Sequence, residues 1–292
     1  MVFGRSEAYW LAELGRLKWI LLLAAFTACA LWETFAPRRK LAASAAWRWS
    51  QNAALDFLFN SPLVWLLRLN AVFVAFWVQD RGYGLLHRLP LFWWLRFAAG
   101  ILLLDLLRYA QHLLYHHNSL LWRVHQVHHS DPDFDWSTGL LFHPGELLVT
   151  QGSYLAAIIL LAPPPAAVIA LELLTAAQNF FVHANVRMPH GLERGLRRIF
   201  ITPEMHRIHH SADLVEQSTN FGDVFPWWDR FFGTYRHDPA AGHERMKIGL
   251  AELGDHRGLN VLAMLALPFR GKTAVTDDEK RPVAVTDRAG LT

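Results

Sequence analysis

The chain has 292 residues, 53% of them hydrophobic, a formal net charge of +3 and a single cysteine. A mean hydropathy of +0.15 is too apolar for an ordinary soluble enzyme and suits several membrane helices, while Cys29 alone excludes a disulfide framework, a zinc ribbon and a cysteine-ligated iron–sulfur cluster. The basic residues are scattered at the ends of apolar segments and form no stripe, so the charge is read as juxtamembrane and nucleic acid is excluded as a partner.

Apolar segments run over about 17 to 35, 62 to 79, 91 to 108, 146 to 162 and 164 to 182. Each approaches the ~20 residues a helix needs to cross ~30 Å of hydrocarbon. The first has no convincing small-residue cleavage site and reads as a retained span, not a signal peptide. Pro163, Pro164 and Pro165 separate the last two, remove amide donors and break the helix, which predicts a tight hairpin. Residues before and after such a hairpin return to one side of the membrane. The loop from 36 to 61 carries Arg38, Arg39, Lys40 and Arg48, and more arginines flank the histidine-rich regions. The positive-inside rule therefore places both in the cytoplasm. The expected fold class is all-α: polytopic integral membrane helices with a helical cytoplasmic cap, one integral domain over 1–271, and a mobile polar tail over 272–292.

Histidines supply the chemistry. Six of the sixteen lie between His112 and His129. They follow a rhythm: His112 and His116 four apart, then His125, His128 and His129, later His183, and finally His206, His209 and His210 with the spacing of the second group. Imidazole is the commonest neutral metal ligand, and helical residues three and four apart share a face, so each box can aim ring nitrogens at one point. The matched boxes suggest two metals. Asp105, near the same face as His112, could fix a ligand's tautomer or pair with Arg108. His117, His143 and His190 are weaker candidates, and His87, His237, His243 and His256 read as surface residues. Glu172 and Gln178, costly in lipid, should face the protein interior.

These stretches resemble a known family. Asp105-Leu-Leu-Arg-Tyr109, the run from His112 to Ser130, Thr202-Pro-Glu-Met-His206-Arg-Ile-His209-His210-Ser211, Asn220-Phe-Gly222 and Trp228-Asp-Arg-Phe-Phe-Gly-Thr-Tyr235 are similar, in order, to the sterol desaturase and fatty acid hydroxylase superfamily over about residues 90 to 250. Leu113 and the stretch from Leu141 to Glu146 depart from the family pattern. The resemblance implies a membrane-bound, non-haem enzyme with two iron ions that uses oxygen to hydroxylate or desaturate a lipid or sterol-like substrate. It maps the ligands onto His112, His116, His125, His128, His129, His183, His206, His209 and His210.

A saturated C–H bond has no acidic proton and no carbonyl to polarise, so a metal that activates oxygen suits such chemistry. The chain has no nucleotide-binding glycine motif and no cysteine relay, which implies an external electron donor: a ferredoxin, or a cytochrome b5-like protein with its reductase. Arg194, Arg197, Arg198 and Arg207 are candidates for steering it. Two rivals from other classes are a zinc hydrolase and a metal transporter. The first lacks His-Glu-x-x-His and leaves about five histidines over, and the second should place ligands at mid-membrane.

Overall fold

The structure is a computed structural model, and it describes residues 7–254 and 258–270. His256 and the expected tail over 272–292 lie outside the described residues. The described residues form helices and two isolated bridges, Pro37 with Val186 and Ser211 with Ile248, and no strand.

Five long elements coincide with the five apolar segments. They are α1 (Glu7–Phe35), α3 (Ser61–Asp80), α5 (Trp93–His117), α7 (Pro144–Leu161) and α8 (Pro165–His183). Among the described residues, α5, α7 and α8 are long and apolar enough to cross a membrane, and Trp19–Phe35 is a shorter apolar stretch. This is the architecture of an integral membrane protein. The prolines act as expected: α7 stops at Leu161 and α8 restarts with Pro165 at its first turn, where a missing amide costs nothing. Between them Ala162 is left-handed at φ 48°. The turn is pinned from outside, because a Cβ on Gly84 would lie 2.3 Å from the Ala162 Cβ, so only glycine fits there.

Packing sets the relative positions of these helices. α3 lies along α7, α1 along α8, and α5 contacts both α7 and α8. Ala71 and Ala75, four apart and fully buried, let α3 approach closely and share a core with Leu104, Tyr154, Ile158, Val168 and Leu171. A second core of Leu55, Trp122, Val127, Leu141, Leu250, Met264 and Leu267 belongs to the cap.

The sequence reading of 36 to 61 as a loop is corrected here. Ser44 caps a helix α2 (Ala45–Leu55), which a π-helical turn over Asp56–Asn60 joins to α3. Arg48, counted as a free cytoplasmic charge, is 2% exposed. Its guanidinium donates to Asp131 at 2.5 and 2.9 Å and to Asp135 at 2.6 Å. Asn52, one turn on, donates to Asp131 and Ser137. A hydrophilic helix buried along one side lacks an apolar stripe, so periodicity could not reveal it.

Short elements complete the cap, α6 (Ser119–His125), α9 (His190–Leu196), α10 (Pro203–His209), α11 (Leu214–Gln217), α12 (Trp227–Phe232) and α13 (Val261–Ala266), while α4 (Leu85–Arg88) lies at the opposite end, beside the α7–α8 turn. Asn118, Thr202 and Asn260 accept hydrogen bonds from the first amides of α6, α10 and α13, which is how such short helices start.

Candidate metal centre

The C-terminal ends of α5 and α8 meet the start of α7 on one side of the helical bundle, and α6 and α10 bring the remaining boxes to that point. All nine histidines of the sequence reading come together there, in two groups whose ligand atoms lie within 4.8 Å of one another. One group holds His112, His116, His125, His129 and His209, the other His128, His183, His206 and His210.

The expectation that each box aims at one point is corrected. His125 and His129 join the first group while His128 turns to the second; in the matching box His206 and His210 join the second while His209 turns to the first. The reason is local geometry. α6 ends at His125 and a 3-10 turn spans His128–Ser130, whereas α10 carries His206 and His209 with His210 at its C-cap. Neighbouring residues such as His128 and His129 point about 100° apart on a helix, so they cannot share a target.

Hydrogen bonds fix the tautomers. The Nδ1 atoms of His112, His128, His183 and His209 lie 2.8–3.1 Å from the carbonyl oxygens of Phe221, Leu141, Asn179 and Thr219. His125 Nδ1 stands 2.8 Å from Glu146 Oε1. Carbonyls only accept, so Nδ1 carries the proton and Nε2 keeps its lone pair. Two such Nε2 atoms, of His128 and His183, meet at 3.3 Å, and the Nε2 atoms of His206, His210 and His129 join them: His183 and His206 at 3.0 Å, His206 and His210 at 3.2 Å, His125 and His129 at 3.2 Å. His112 and His209 each present a buried Nε2 with no hydrogen-bond partner.

Burial keeps these rings neutral. It pushes the His125 pKa down to about 3. Burial first, and neighbouring imidazoles after it, hold His128, His129, His206, His209 and His210 well below the usual histidine range. Neutral imidazoles pointing lone pairs at each other repel; a cation between them makes the same geometry attractive. The donor set fits one metal ion in each group, with outer oxygens orienting the ligands.

Aromatic rings seal the centre. Phe142 stacks on His128 at 4.4 Å, Tyr115 on His125 at 5.2 Å, and Phe221 lies edge-on to His112, His116 and His209. Asp229 supports this wall: it accepts from the amides of Phe221 and Gly222 and from Thr234 Oγ1. Phe221 is thereby held where its carbonyl meets His112. For Asp229 the sequence left pairing with Arg230 or support of a ligand open, and the second is what these bonds do; Glu146 was given no such role, because it lies in the first turn of α7, where any acidic residue is favoured by the helix dipole, so its position alone carried no signal.

Other expectations resolve differently. Asp105 neither orients a histidine nor pairs with Arg108; it accepts from the Val224 amide and from Trp228 Nε1 at 2.8 Å. Arg108 instead meets Asp223 at 3.5 Å. His117 and His190 are exposed, and His143 caps α7 by accepting from the Gly145 amide. His243, expected at the surface, is partly buried 2.9 Å from Glu204. Arg207 is fully buried against Glu204 and over the Phe134 ring, and Arg197 is buried against Glu193 and the Tyr235 hydroxyl, so neither is free to steer a partner. Glu172 and Gln178 face the interior as expected, Gln178 donating to the Ile201 carbonyl.

A cavity of about 910 Å³ reaches the centre. Its inner wall includes His112, His125, His128, His183 and His206, and its outer part is apolar, with Trp19, Leu22, Leu23, Phe26, Phe57 and Trp65. Trp19, Leu23, Phe57 and Trp65 are all more than half exposed, so the cavity opens where the helices present their apolar surface.

The fatty acid hydroxylase family matches residues 97–234. The chain is 32% identical over 178 residues to the ornithine lipid hydroxylase OlsE of Rhizobium tropici, covering 60% of this chain and 50% of that protein. It is 28% identical over 179 residues to the alkylglycerol monooxygenase of Homo sapiens, covering 61% and 37%, and 31% identical over 144 residues to that of Danio rerio, covering 49% and 30%. The chain thus spans half or less of the length of these relatives. No solved structure matches it. The stretch that matches the fatty acid hydroxylase family carries all nine clustered histidines, and the match agrees with the resemblance of the chain's motifs to the sterol desaturase and fatty acid hydroxylase superfamily.

Proposed function

We propose that the protein is a membrane-bound, non-haem di-iron oxygenase that hydroxylates a lipid substrate drawn from the bilayer. One observation carries the reading: two adjoining clusters of neutral imidazole form the inner wall of a cavity whose outer part is apolar and opens on the apolar flank of the bundle. The names of the relatives, a lipid hydroxylase and alkylglycerol monooxygenases, support insertion of oxygen over desaturation.

The ligands are His112, His116, His125, His129 and His209 for one iron and His128, His183, His206 and His210 for the other. Bound there, the two irons supply oxygen activation. The overall balance takes one oxygen atom into a C–H bond and releases the other as water, with two protons and two electrons from an external donor such as a ferredoxin or a cytochrome b5-like protein. The chain's own residues hold the ligand protons at Nδ1, exclude water with Phe142, Tyr115 and Phe221, and admit the substrate between α1 and α3. We place the centre on the cytoplasmic side, and read residues 1–271 as one integral domain. A zinc hydrolase uses three or four ligands, and nine neutral imidazoles do not favour it.

Metal analysis and product identification test the reading. Two irons per chain and an oxygen-dependent gain of one oxygen atom in a lipid are expected. One zinc per chain with activity independent of oxygen would overturn it.

A further inference from the structure

The cavity is not apolar throughout. Gln151 of α7 and Thr175 of α8 line it, are 3% and 7% exposed, and leave Oε1 and Oγ1 without a hydrogen-bond partner. Arg108 lies in the same wall, one helical turn before His112, with its guanidinium over the Tyr154 ring at 5.0 Å. These groups come from three helices and line the same cavity as the histidines. A plain hydrocarbon filling the cavity would leave Gln151 and Thr175 buried and unsatisfied, which is unfavourable.

Resting on the functional reading above, we propose that Arg108, Gln151 and Thr175 form a subsite for an uncharged group of the substrate that can donate a hydrogen bond to Gln151 Oε1, a hydroxyl or an N–H amide, and so direct oxidation to a carbon close to that group. Charge selects the neutral class. Asp223 stands 3.5 Å from Arg108, and Glu172 acts on it from α8, so the cation is already compensated and an added phosphate would bring uncompensated negative charge into a buried site. Distance selects the position. Arg108 and His112 are separated by about 6 Å of helix rise, the reach of a few carbon–carbon bonds. A lipid held by its polar linkage therefore offers the centre a carbon near that linkage, while its tail extends toward Phe57 and Trp65. The oxidation keeps the balance given above, the C–H carbon losing two electrons and the external donor supplying two.

The test uses the full chain, iron-loaded, in nanodiscs. Three probes of equal chain length are compared: a long-chain alcohol, the alkane, and the alkyl phosphate. Equilibrium binding should favour the alcohol over both others. Gln151→Leu and Thr175→Val should each weaken alcohol binding about ten-fold, the loss of roughly one hydrogen bond, while leaving alkane binding within two-fold. Thr175→Ser, which keeps the hydroxyl, should bind like the wild type. In turnover, the wild type should place the new hydroxyl near the polar end, and the Leu and Val variants should raise KM more than they lower kcat and scatter the product along the chain. Equal binding of alcohol and alkane, tighter binding of the phosphate, or unchanged affinity in both variants overturns the subsite. Selective alcohol binding without any oxidation by the wild type would leave the subsite standing and overturn the oxygenase reading instead.

Discussion

The two histidine groups are built from the same boxes yet differ in redundancy and support. The first has five imidazoles, one of them backed by a carboxylate, Glu146, and two by the carbonyls of Phe221 and Thr219. The second has four, with backbone carbonyls of Leu141 and Asn179 behind two of them. A carboxylate makes its histidine a stronger donor and can be removed by mutation, whereas a carbonyl cannot. If the histidines are the ligands proposed above, the five-membered group should tolerate the loss of one better and depend on side chains further away, while the four-membered group should depend almost wholly on its own imidazoles and the fold.

The largest expected effects break the four-membered group. His206→Ala should remove about one metal per chain and lower activity by more than about 100-fold, beyond the 10–100-fold typical of losing an outer partner. His129→Ala, in the group with a ligand to spare, should retain more metal; equal losses in the two variants would show that the groups are not distinct in this way. Membrane insertion should be unchanged in both, since neither alters an apolar span.

Removing the carboxylate support comes next. Glu146→Ala should weaken metal binding by the five-membered group by about 10–100-fold and leave the other group's affinity in place, as read by stepwise metal titration. Glu146→Gln, which keeps an acceptor for His125 Nδ1, should fall between Ala and wild type. A uniform loss from both groups would contradict the assignment of Glu146 to one of them.

A smaller effect concerns pH. Burial, opposed by hydrogen bonds from Thr234 and from the Gly222 and Phe221 amides, raises the Asp229 pKa from 3.8 to about 6. A carboxyl with a raised folded-state pKa contributes stability that is fully present below its unfolded value and is lost as pH rises through the folded value. The melting temperature of the wild type relative to Asp229→Asn should therefore decline by a few degrees between about pH 4 and 6 and be flat above that. Parallel curves for the two proteins would refute this account. Least of all, His237→Ala, which removes an exposed imidazole that bonds Asp238 and lies edge-on to Tyr235, should leave metal content and activity unchanged.

The histidine pattern was legible because a metal site of this kind needs many residues of one type at helical spacings, and composition displays that directly. All nine candidates converge, and the three prolines stop α7 as expected. Glu146 and Arg48 were not legible for a different reason. Each is an ordinary charged residue in sequence, and only the approach of α6 to α7, and of α2 to the segment around Asp131, gives it a buried partner. Asp105 misled because proximity along a helix suggested His112, while Trp228, 123 residues away, took the bond.

By itself the sequence determined the helical class, the long apolar segments, the hairpin and the identity of the clustered histidines, since these follow from hydropathy, proline chemistry and residue spacing. The tertiary structure alone decided which histidine joins which group, which groups hold their Nδ1 protons, and that polar atoms of α5, α7 and α8 share one cavity wall. Those outcomes depend on rotations and crossings of helices distant in sequence, and a local pattern of side chains carries no information about them.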